Sequence, residues 1–221
     1  MSGESGSNGS EGLNGLTVCN RGRCGQNSGV VRERFGEDVL QLDPKPDYVL
    51  IYIGMNDVIN DRFFTPLAAY IENVSWMVER ARAAGIEPVI CTIHHCVEEK
   101  VYPHHPREKF GEETPNVKMD RYNAALRRLA AEREVALADF GGVTDGTERS
   151  AFLSEDGVHL TAGGNVLLAR CFLEVIGPRL RGRETIVCCG DSLTYGYGNQ
   201  GAGTADGETY PAMLRRFPIY P

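Results

Sequence analysis

The chain has 221 residues, 42% of them hydrophobic and 24% charged, a length and balance that suit one globular domain with a sizeable core and exclude disordered or fibrous classes for its bulk. Its formal net charge of -7 leaves no lysine or arginine stripe to displace counterions from phosphates, which argues against nucleic acid or an anionic membrane as partner. No stretch approaches the roughly 18 to 20 apolar residues that cross a bilayer, no leader-like segment opens the chain, and the seven cysteines suit reduced thiols in a cytoplasmic protein better than a disulfide framework.

Residues 1–15, rich in glycine and serine, read as a flexible tail or linker ahead of a single domain over 16–221. The first strand is expected over 16–19, followed by the turn Asn20-Arg21-Gly22-Arg23-Cys24-Gly25, in which Gly25 can offer an unobstructed backbone N–H. A helix over 28–36 leads to a second strand over 47–53 and then to Gly54-Met55-Asn56-Asp57. An asparagine at a strand's carboxyl end can aim its amide at an oxyanion; taken alone, the same residues also make an ordinary turn.

Next come a helix over 66–84, a strand over 86–92 and the segment Cys91-Thr92-Ile93-His94-His95-Cys96. Its cysteines and histidines lack zinc-site spacing, and adjacent histidines in extended chain point to opposite sides, so the segment reads as core strand running into a pocket rim. His104 and His105 fall in a proline-containing loop over 97–116. A helix over 117–133 and a strand over 135–139 precede Asp156-Gly157-Val158-His159. An aspartate three residues before a histidine can curl back to accept the imidazole Nδ1–H and leave Nε2 as a base.

The helix over 162–176 carries the clearest signals: Thr161 as N-cap, an apolar stripe of Val166, Ala169, Leu173 and Ile176, and Gly177-Pro178 as terminator. The last strand, over 185–189, runs into Gly190-Asp191-Ser192-Leu193-Thr194, a glycine turn that delivers a serine to the sheet's edge. Cys188 and Cys189 read as packing. Tyr195 and Tyr197 stand in the glycine-rich stretch before a final helix over 209–217. Alternating apolar strands and amphipathic helices give a parallel sheet covered on both faces. Four strand ends then supply a serine, an Asp/His pair, an asparagine amide and a glycine N–H, a complete set for acyl transfer.

With these blocks the chain resembles the SGNH (GDSL) hydrolase family: Gly190 to Leu193 match its nucleophile block, Asn20 to Gly25 its glycine block, Gly54 to Asp57 its Gly-x-Asn-Asp block and Asp156 to His159 its Asp-x-x-His block. The family places the serine block first, whereas here it comes last, so the chain resembles a circular permutant; moving residues 185–217 ahead of Leu16 restores the family order. The resemblance implies a three-layer α/β/α sandwich of the flavodoxin-like kind, with family strand order 2-1-3-4-5 and the C-terminal strand set inside the sheet. It implies Ser192, His159 and Asp156 as triad, an oxyanion hole made by Ser192, Gly25 and Asn56, and no cofactor or metal. A small-molecule or carbohydrate ester is the implied substrate, with acetyl esters favoured. An acyltransferase, thioesterase or lysophospholipase with the same triad is the alternative; a non-catalytic glycan-binding module is disfavoured by the intact Ser, His, Asp and Asn.

Overall fold

The computed structural model describes residues 15–217; the tail expected over 1–15 lies, but for Gly15, outside them. Five strands, β1 (Thr17–Gly22), β2 (Tyr48–Tyr52), β3 (Glu87–Cys91), β4 (Ala136–Ala138) and β5 (Thr185–Gly190), form one sheet in the order β1-β5-β2-β3-β4. Every pairing is parallel. The longer helices are α1 (Ser28–Phe35), α3 (Leu67–Ala83), α5 (Pro115–Arg133) and α7 (Ala162–Ile176). Short α-helices α2 (Met55–Ile59), α4 (Glu98–Val101), α6 (Phe140–Thr144), α8 (Ser192–Tyr195) and α9 (Tyr210–Leu214) complete the α-helices of the described residues.

Chain direction across the sheet assigns the layers. The crossovers β1-α1-β2, β2-α3-β3 and β3-α5-β4 all step toward β4, whereas β4-α7-β5 steps back. Parallel crossovers are right-handed, so α1, α3 and α5 cover one face and α7 the other. Accordingly α1 packs on α3 and α3 on α5, while α7 packs on α9. With both faces covered, strands need apolar residues at consecutive positions, and Ile186, Val187, Cys188 and Cys189 of β5 have no exposed surface.

Two differences from the sequence reading have clear causes. β1 continues through Asn20, Arg21 and Gly22, expected in a turn, because these residues pair with Cys188, Cys189 and Gly190 of β5. Ladder hydrogen bonds there outweigh weak strand propensity. In α7 the deepest apolar residues are Leu168, Ala169, Phe172 and Ile176, with Val166 and Leu173 only half-buried. The helix is rotated because Phe172 stacks on Tyr210 of α9 with ring centroids 5.5 Å apart. Thr161 caps it as expected, its Oγ1 accepting the Gly164 N–H at 3.1 Å.

Candidate active site

The chain leaves β5 toward α9 on one face and leaves β2 toward α3 on the other. The crevice beyond the carboxyl ends of these adjacent strands is therefore the sheet's switch point, where doubly wound folds bind ligands. Ser192 and Asn56 stand on its two sides. Ser192 is the first residue of α8, and Asp191 caps that helix by accepting the Leu193 N–H at 3.0 Å. As the first residue of a helix, Ser192 directs an N–H outward with no carbonyl of its own helix to meet it.

What precedes the serine is held tightly. A Cβ on Gly190 would lie 2.1 Å from the Tyr52 carbonyl oxygen of β2, so no other residue fits between the strands. The Gly190 carbonyl accepts from the buried Arg34 Nη2 at 2.8 Å and from the Arg23 N–H at 3.2 Å. Arg34 in turn pairs with Asp38 one helical turn on. Nothing in the sequence flagged this brace beyond an i,i+4 charge pair.

The histidine arrives on a tight loop between Leu153 and Leu160, in which the Ser154 N–H donates to the His159 carbonyl at 2.8 Å. Asp156 folds back as its spacing predicts. One carboxylate oxygen accepts the Val158 and His159 N–H groups, both at 2.9 Å, and the Ser154 hydroxyl at 2.7 Å; the other lies 2.6 Å from His159 Nδ1. A carboxylate can only accept, so Nδ1 carries the proton and Nε2 is left to accept from the Ser192 hydroxyl, 2.9 Å away. Partial burial would raise the Asp156 pKa, but the imidazole and backbone donors outweigh it and hold the carboxyl below its usual range. The imidazole is 21% exposed, and the ring of the exposed Tyr197 lies 4.7 Å from it.

Asn56 opens toward the same crevice on α2, its Nδ2 donating to Asp191 Oδ2 at 3.2 Å. Asp191 is fully buried, and burial pushes its carboxyl up to about 6 against the pull of these donors. Its neighbour in sequence to Asn56, Asp57, accepts the Ser28 N–H with both oxygens at 3.1 and 3.0 Å, fixing the β2 loop to the start of α1. Gly25 sits exposed in the turn after β1 with φ of 73°, and a Cβ there would meet nothing within 4 Å.

The paired histidines separate as alternation requires. His94 points inward with no exposed surface, while His95 faces Asp120 at 2.7 Å and Arg149 at 3.1 Å. His105 Nδ1 lies 2.7 Å from Asp61 Oδ1, tying the long loop to the segment after α2. Cys188 and Cys189 are buried and burial raises both thiols, Cys189 to about 12. Among the described residues no group of three or more His, Cys, Asp or Glu is placed to hold a metal, and no helix is long and apolar enough to cross a membrane. A recess of about 630 Å³ beside Tyr48, Arg82, Glu87 and Arg179 opens at the amino ends of the strands, away from Ser192.

The model of the GDSL-like lipase/acylhydrolase family matches residues 8–167, a span that holds Gly25, Asn56, Asp156 and His159 and ends before Ser192. The chain is 26% identical over 171 residues to an acetylxylan esterase of Geobacillus stearothermophilus, covering 74% of this chain and 73% of that protein. Among solved structures, a GDSL-like lipase of Bacteroides thetaiotaomicron superposes with a TM-score of 0.56 at 23% identity, covering 71% of this chain and 73% of that one. A catalytic mutant of an acetylxylan esterase of G. stearothermophilus gives 0.51 at 23% identity, with 68% and 67% covered. These two likenesses speak to fold.

Proposed function

From the premise that the chain belongs to the GDSL-like lipase/acylhydrolase family and is a carboxylic ester hydrolase, we propose that it cleaves short-chain esters, acetyl esters first, with Ser192 as nucleophile. The observation that carries the reading is the unbroken relay from Asp156 through His159 to Ser192, with heavy-atom separations of 2.6 and 2.9 Å. Both lie within the reach a nucleophile and its base require.

Ser192 Oγ attacks the ester carbonyl while His159 Nε2 takes its proton. The imidazolium so formed is stabilised by Asp156 and returns the proton to the departing alcohol. Water then repeats the sequence on the acyl-enzyme. Charge on the carbonyl oxygen is met by the N–H of Ser192, the N–H of Gly25 and the amide of Asn56. Asn56 has a second amide hydrogen to offer once the first is anchored on Asp191, a pre-set donor of the kind that stabilises an oxyanion.

The acetylxylan esterase relative favours a small acyl group on a carbohydrate alcohol. Tyr197 agrees with it, since an exposed ring beside the base offers a flat apolar face to a sugar leaving group. p-Nitrophenyl esters of increasing chain length, with acetylated xylo-oligosaccharides in parallel, test the assignment. The kcat/KM should fall as the acyl chain lengthens and acetate should be released from the sugars; a preference for long acyl chains would overturn it. We also infer that the block order is a circular permutation. In its support, β5, last in the chain, lies between β1 and β2.

A further inference from the structure

The geometry points to Tyr52 and His94 as positioning residues that hold the histidine loop in register with the nucleophile, an inference that rests on the Ser192–His159–Asp156 reading above. His94 follows β3, has no exposed surface and stands among the rings of Tyr52, Phe140 and Phe152, with centroids 5.7 to 6.4 Å away. Its Nδ1 lies 2.5 Å from the Tyr52 hydroxyl and its Nε2 lies 2.9 Å from the Val158 carbonyl oxygen. A carbonyl can only accept, so Nε2 carries the hydrogen and Nδ1 accepts the Tyr52 O–H. Burial keeps the ring neutral, holding its pKa down at about 4. Both ring nitrogens are therefore satisfied, as a buried polar side chain requires.

What this chain of contacts grips is specific. The Val158 carbonyl and the His159 N–H belong to one peptide plane. His94 holds that plane by its oxygen, and Asp156 holds it by its N–H at 2.9 Å. The next peptide plane is fixed through the His159 carbonyl, which accepts from Ser154. The direction of the His159 Cα–Cβ bond is thereby set from both sides. At the other end, Tyr52 closes β2 directly opposite Gly190, two residues before Ser192. A single hydrogen-bonded path runs from the strand flanking the nucleophile to the backbone carrying its base. Misplacement of a reacting group by about 1 Å costs on the order of a hundredfold in rate, so loosening this path should be felt in turnover and hardly in ground-state binding.

The test measures kcat and KM on p-nitrophenyl acetate, with melting temperatures, for wild type, His94→Phe, His94→Gln, Tyr52→Phe and Ser192→Ala. His94→Phe keeps a ring and removes both hydrogen bonds; kcat should drop about 30- to 100-fold with KM within about threefold. His94→Gln presents an acceptor to Tyr52 and a donor to Val158, and should recover to within about fivefold of wild type. Tyr52→Phe should lose roughly tenfold in kcat. If His94→Phe fails to fold, the other two variants decide. A folded Tyr52→Phe protein with wild-type kcat would overturn the inference, as would a His94→Gln protein that melts like wild type yet turns over no faster than a hundredth of it. Ser192→Ala separates the levels: an active Ser192→Ala protein would break the triad reading itself, whereas an inactive one leaves the His94 variants to judge this inference alone.

Discussion

Asp191→Asn isolates the electrostatic cost of the carboxyl that precedes Ser192. The carboxyl is buried completely and sits at about 6 instead of its ordinary 3.8. At 1.36 kcal/mol for each pH unit, ionising it in the folded protein costs roughly 3 kcal/mol. The sign follows from proton uptake: between 3.8 and about 6 the folded chain binds a proton that the unfolded chain has lost, so this site's contribution to stability is greatest below 3.8 and declines until pH passes 6. Asparagine is nearly isosteric, caps α8 as well as aspartate, and removes the titration. Integrating the two ionisations leaves a penalty of about 1 kcal/mol at pH 4.5 and about 3 kcal/mol at pH 7.5. The stability of Asp191→Asn relative to wild type should therefore improve by about 2 kcal/mol between those two values, whatever constant offset the substitution adds. Denaturant titrations of both proteins at both pH values give that difference directly, and in melting temperature it corresponds to about 4 to 8 °C. Activity should move the other way, by about tenfold in kcat, because the Asn56 amide loses its carboxylate anchor. A wild-type-to-variant difference that stays the same at the two pH values would refute the account of Asp191 as a carboxyl held near neutrality by burial.

Ser192→Ala and His159→Ala should each reduce kcat by about a thousandfold or more, and the double variant by little further, as groups acting as one unit do; ester turnover with circular dichroism as a folding control checks it. Asn56→Ala should cost about a hundred- to a thousandfold in kcat with little change in KM, and an effect confined to KM would make the amide a ground-state contact. Removing residues 185–221 should abolish folding, since Ile186 and Val187 alone contribute about 3 to 6 kcal/mol of burial and two strands lose their partner. A chain rearranged to begin at Arg183, run through Pro221, continue by a short linker into Leu16 and end near Arg181 should melt cooperatively and hydrolyse the same esters. A soluble, cooperatively melting truncation would show instead that β5 is dispensable.

Strands buried on both faces announce themselves as unbroken apolar runs, and for that reason β2, β3 and β5 were legible with boundaries good to a residue or two. Asp156 and His159 were legible because their relation is local: three residues and a glycine suffice to bring Nδ1 to the carboxylate. Relations across the chain were legible only where the family resemblance supplied them, as for Ser192 with His159. Alternation says that His94 and His95 face opposite ways, but only the packed sheet decides which of them meets Tyr52, 42 positions earlier. The Arg34 brace on Gly190 spans 156 positions, and the Asn56 contact with Asp191 spans 135. The rotation of α7 depends on Phe172 finding Tyr210, which no periodicity of α7 contains.

The place of β5 has a consequence for how the chain is made. Synthesis delivers β1 and β2 ahead of β5, yet the two do not pair with each other in the finished sheet; the slot between them is filled by β5, the last of the five strands in sequence. Until then β1 and β2 lack the strand that both pair with, and exposed strand edges beside apolar surface are the features that invite pairing with another chain. The gap closes only when Thr185–Gly190 enters it, and the same event brings Ser192 to within 2.9 Å of His159. On the proposed assignment, completion of the sheet and assembly of the site are therefore one step.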